Sequence, residues 1–145
     1  MARAPQGDAG RTSFDEDELL VRALGNLGGK GAERGARRLR KDVLEIDLVV
    51  SLSPQAAADR ARQVISRHGS VLNLESIGED PGAQVIGIVG AGIAKLNPAV
   101  VTVTIRATED GSRLVIRGAA KEGLIKQRAG EKAARLVAAE MASAA

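Results

Sequence analysis

From position 43 the chain alternates. Leu44, Ile46, Leu48, Val50 and Leu52 fall on one side, with Glu45 and Asp47 on the other. A period of two over that length predicts a half-buried strand. Ser53-Pro54 then reads as a helix start: Ser caps a backbone N–H, and Pro sits where its missing N–H costs nothing. Ala57, Ala61, Val64, Ile65 and His68 follow on one helical face. Gly69 reads as a left-handed C-terminal cap. Strands are predicted at 70–77, 84–91, 99–107 and 113–119. Asp80-Pro81-Gly82 marks a turn, and Asp110-Gly111 a two-residue hairpin. A final helix is predicted over 124–142, with Ile125, Ala129, Leu136, Val137 and Met141 near one face.

The fold class is therefore α+β, in the order β-α-β-β-β-β-α. Short loops make the last four strands an antiparallel meander. Glu45 and Asp47 on the first strand match Arg113 and Arg117 on the fifth, which places those strands side by side. The resulting sheet order is 1-5-4-3-2, mostly antiparallel, with two helices on one face. This architecture resembles the TATA-binding-protein-like and helix-grip folds, a likeness that carries no function. The other face is expected to bear Glu45, Asp47, Asn73, Glu75, Thr102, Thr104, Arg106, Arg113 and Arg117.

Residues 1–41 differ in composition and read as an extension, partly disordered, ahead of an α+β domain at 42–145. Ser13 and Glu16 fit a capping box. Leu20, Ala23, Leu24 and Leu27 share a helical face, so a short amphipathic helix is predicted over 14–25. Its first turn carries the acidic run Asp15–Glu18. The basic run that follows contains Lys30, Arg34, Arg37, Arg38, Arg40 and Lys41 against one acid, Glu33. These six cations are the candidate nucleic-acid contacts, through counterion release. The acidic run is an alternative partner for them within the chain.

Composition narrows the chemistry. There is no Cys and one His, so thiol catalysis and a multi-histidine metal site within one chain are excluded. With one Phe and no Tyr or Trp, base-stacking platforms have no side chains to use. The net charge of +3 is too small to steer strongly. No apolar run is long enough for a membrane span before Asn97-Pro98 interrupts it. No targeting segment is visible, so a cytoplasmic, bacterial protein is expected. The run Gly87-Ile88-Val89-Gly90-Ala91-Gly92 looks like a dinucleotide-binding start, but Lys95 stands where a third Gly is required. Asn97-Pro98 then leaves no room for the helix. His68 reads as a helix-end residue, not a base.

The sequence thus points to a non-enzymatic module without a cofactor, working by protein binding or self-association. The predicted second strand, with one charge at Glu75, makes a lightly guarded edge, and Val71, Asn73 and Glu75 are its candidate contacts. Nucleic-acid binding through 30–41 and carriage of a small apolar ligand in a helix-grip cavity are the alternatives.

Overall fold

The computed structural model describes residues 15–28, 35, 39–72, 83–90, 98–122 and 128–143. Its elements are α1 (Glu16–Gly28), β1 (Arg40–Val50), α2 (Pro54–His68), β2 (Gly69–Leu72), β3 (Ala83–Gly90), β4 (Pro98–Thr108), β5 (Gly111–Glu122) and α3 (Ala129–Ala142). The five strands form one sheet in the order β1-β5-β4-β3-β2. Every neighbouring pair is antiparallel, so β1 and β2 point the same way at opposite edges. Glu45 sits across from Arg117, as the charge pattern predicts.

Alternation decides what each face carries. One face presents Leu44, Ile46 and Leu48 of β1, Val101, Val103 and Ile105 of β4, and Leu114 and Ile116 of β5. It is buried under Ala57, Ala61, Val64 and Ile65 of α2 and Ala133, Ala134, Val137 and Met141 of α3. Among the described residues this core holds no aromatic side chain and is filled by branched aliphatics against alanine. Small helix residues let the helices sit close. A Cβ added at Gly118 of β5 would come within 2.2 Å of the Gly130 carbonyl oxygen on α3, and one at Gly130 within 2.1 Å of the Asp42 carbonyl oxygen.

The local signals hold with some displacements. Ser53 caps α2, its hydroxyl accepting from the Ala56 N–H at 3.2 Å. Gly69 is not a left-handed cap. Its φ is 179°, which is extended backbone, and it is small because a Cβ there would collide with the Ile88 carbonyl. The chain passes directly from α2 into β2. The tight hairpin turns at Glu109-Asp110, one residue earlier than predicted, because Thr108 pairs with Gly111. The predicted second strand reached 77, whereas β2 spans Gly69–Leu72 and 73–77 lie outside the described residues.

The last helix begins at Ala129. Its buried side runs through Ala129, Gly130, Ala133, Ala134, Val137, Ala138 and Met141. Leu136, expected on that side, is exposed. Lys121 belongs to β5. The helix start is capped from the sheet: Asp42 Oδ2 accepts from the Glu131 N–H at 2.9 Å and Glu122 Oε1 from the Ala129 N–H at 3.1 Å. Carboxylates there satisfy orphan donors and complement the helix dipole.

The second face departs from expectation. Instead of standing open to solvent, it carries α1. Leu20 is fully buried, packed with Val100 of β4, Ala119 of β5 and Ile86 of β3; Leu19, Leu72 and Ile88 flank them. Thr102, expected on an exposed polar face, is buried as well. Ile86, Ile88, Val100 and Ala119 make an apolar strip on this side that the expected list of polar residues did not include. The first strand begins at Arg40, so the boundary at 42 falls inside β1.

Candidate functional site

The first turn of α1 meets the sheet through charge. Asp15 caps it: its Oδ1 accepts from the N–H groups of Asp17 at 3.0 Å and Glu18 at 3.2 Å. Glu16 does not fold back to complete a capping box, and Ser13 lies outside the described residues. Arg117 Nε and Nη2 donate to the two Glu16 oxygens at 3.0 and 3.1 Å, a bidentate fork. Lys41 Nζ donates to Glu16 Oε1 at 3.1 Å and also pairs with Asp17 at 3.1 Å. Lys121 Nζ, itself buried, stands 3.5 Å from Asp17 Oδ1. Beneath, Arg117 Nη1 donates to Glu45 Oε1 at 3.0 Å, and Arg113 Nε to Asp47 Oδ1 at 3.0 Å. The side chain of Glu16 is only 10% exposed.

The titrations follow from this geometry. The Glu16 hydrogen bonds hold the Arg117 guanidinium above its ordinary value, against burial, with Glu45 adding to them. Burial would lower the Lys41 ammonium, but bonds to Asp17 and Glu16 outweigh it and raise the value. Burial would likewise raise the Asp17 carboxyl; Lys41 and Lys121 together hold it below the usual 3.8. All three shifts favour the charged forms that join α1 to the sheet.

A second cluster joins α2 to α3. Glu140 Oε2 meets His68 Nε2 at 2.5 Å, and Glu140 Oε1 accepts from Arg67 Nη1 at 3.4 Å. Arg60 Nη2 donates to the Glu140 carbonyl at 3.5 Å. His68 is thus a helix-end residue in a clasp between the two helices. Among the described residues, no three His, Cys, Asp or Glu side chains gather as a metal site would need.

Of the candidate nucleic-acid contacts, Arg40 is exposed at the start of β1, and Lys41 is held by Glu16 and Asp17. Lys30, Arg34, Arg37 and Arg38 lie outside the described residues. Of the candidate edge contacts, Val71 is half-buried against the main core, while Asn73 and Glu75 lie outside the described residues. Sheet order puts β2 at an edge. Sequence reasoning missed Asp42, Glu122 and Glu140, whose partners are 89, 7 and 72 residues away. Spacing patterns do not reach the pairs of Asp42 and Glu140, and the Glu122 pair depends on where the last helix begins, which was predicted at 124 and falls at Ala129.

These elements define a small α+β protein with a helix-grip-like sheet and helices. No helix among the described residues is long and apolar enough to cross a membrane. No family model matches the sequence, and no curated protein matches it. Among solved structures the chain is similar to Ara h 8.0201 at 9% identity and a TM-score of 0.37, over 72% of this chain and 99% of that one. It is also similar to the protein of unknown function SA2116 from Staphylococcus aureus, at 11% identity and a TM-score of 0.33, over 73% and 87% of the two chains. An uncharacterised protein from Rhizobium leguminosarum matches at 15% identity and a TM-score of 0.34, over 72% and 96%. Likeness at this level says nothing about ligand or activity; the fold class follows from the sheet order and helices themselves.

Proposed function

We propose that this chain is a non-enzymatic protein-binding module that pairs a strand of another chain along its β2 edge. The observation that supports this is the contrast between the two sheet edges. β1 carries charge at Arg40, Lys41, Asp42, Glu45 and Asp47 among its 11 residues. β2 consists of Gly69, Ser70, Val71 and Leu72, with no charge. Charged side chains on an edge strand discourage pairing with a further strand, and an uncharged edge invites it.

The alternatives receive less support. Lys41 is committed to Glu16 and Asp17, which removes one cation from the nucleic-acid reading. Close contact of Gly118 with Gly130 and Ala134 leaves no room for an apolar ligand at that crossing.

The test replaces Asn73, the next residue in sequence after β2, with Pro, which has no backbone N–H to donate. Light scattering over a concentration series, with chemical crosslinking, is expected to show wild-type association that the variant lacks. A wild-type chain that stays a strict monomer and binds its partners no better than Asn73→Pro overturns the reading.

A further inference from the structure

The second sheet face holds a receptor whose present occupant is part of the same chain. Arg117 is held from the neighbouring strand by its cross-strand partner Glu45, which accepts from Nη1 at 3.0 Å. That leaves the Nε and Nη2 fork for Glu16, which takes both donors. Lys41 and Lys121 flank the fork and both reach Asp17. Beside these three cations lies an apolar strip of Ile86, Val100 and Ala119, filled by Leu20. The recognition pattern is therefore two adjacent carboxylates in the first turn of a helix, then a leucine four residues beyond the first.

The hold on α1 is concentrated at one end. Glu16 and Asp17, both in its first turn, bond to Arg117, Lys41 and Lys121 of the sheet. The helix has 13 residues, a length at which helices are marginal without packing. Gly25 inside it weakens it further. When α1 leaves, Glu45 still orients Arg117, so the fork remains set for another carboxylate.

We propose that this face is a docking site for an acid-headed amphipathic helix of another protein, and that α1 is its competitor in cis. The inference rests on the reading of the chain as a protein-binding module, but it concerns a different surface from the β2 edge. Exchange of one acidic helix for another leaves no cation unpaired and no apolar strip bare. An outside helix must compete with α1, which is covalently part of the same chain and needs no separate encounter.

The probe is a fluorescently labelled synthetic peptide of residues 13–28, titrated into the full-length chain. Its control carries Lys in place of both Glu16 and Asp17. The full-length Glu16→Gln variant weakens the competitor while leaving the receptor intact. It is expected to bind the peptide at least tenfold more tightly than wild type, and the control peptide should bind neither. If Glu16→Gln loses cooperative melting, Leu20→Ala serves in its place. Equal affinity for the two proteins, binding to neither, or equal binding of the control peptide overturns the proposal. So does a wild-type dimer held by exchange of α1 between copies, because the occupant is then a second copy. Asn73→Pro should leave peptide binding unchanged, so failure of the edge reading and failure of this one are told apart.

Discussion

Single residues in this protein are chosen as much for what they lack as for what they carry. Gly130 stands in the first turn of α3, where alanine would ordinarily favour the helix by about 1 kcal/mol. Here the added Cβ would lie 2.1 Å from the Asp42 carbonyl oxygen, and backbone cannot yield as a side chain can. Gly130→Ala is expected to destabilise the protein by about 1–3 kcal/mol, in the range of overpacked interiors. Gly90→Ala, with nothing within 4 Å of its added Cβ, should be close to neutral. Urea midpoints of the two variants against wild type check the difference. Neither glycine announces its role in the sequence. In the run around Gly87 and Gly90 the two differ without any sign in the sequence: a Cβ at Gly87 would come within 2.7 Å of the Ser70 carbonyl oxygen, and one at Gly90 would meet nothing.

At the scale of elements, the strands, their order and the two helices on one face were legible, and the placement of α1 on the other face was not. The alternation of β1, Ser53-Pro54 at α2 and the opposed charges on β1 and β5 all lie in short stretches of chain, so pattern reveals them. The placement of α1 depends on partners at Arg117 and in β4, about a hundred residues away. Its acidic first turn was readable as a match for cations; which cations depended on the sheet register. The same ion pairs make docking of α1 depend on pH. Asp17 has a lowered value, so its contribution is complete above the ordinary 3.8 and fades as pH falls through the folded value. Lys41 has a raised value, so its contribution is complete below the ordinary 10.5 and fades as pH rises through the folded value. Amide hydrogen exchange of residues 19–22, corrected for intrinsic rates, should show most protection between those limits and less on either side. Flat protection across the acid limb would remove Asp17 from the anchor.

The whole molecule is a sheet clad on both faces, thickly by α2 and α3 and thinly by α1. The main core lies entirely within 42–143, so a chain starting at Arg40 is expected to keep a cooperative unfolding transition. Losing the burial of Leu20 and Val21, each worth about 1.5–3 kcal/mol before the entropy of ordering α1 is subtracted, should lower stability by about 2–4 kcal/mol. Calorimetry or denaturant unfolding of the 40–145 chain measures this. Loss of cooperativity would make α1 part of the folding unit.

The pairing of β1 with β5 has a further consequence during synthesis. Asp47 must wait for Arg113, 66 residues later in the chain. At roughly 5–20 residues per second that is several seconds on the ribosome. Throughout that interval the most regular apolar ladder of the protein, Leu44 to Leu48, has emerged without the strand that will hold it. The charges on β1 then serve a nascent chain before they serve a folded one. Glu45 and Asp47 keep the waiting strand from pairing with the wrong neighbour until Arg113 and Arg117 arrive.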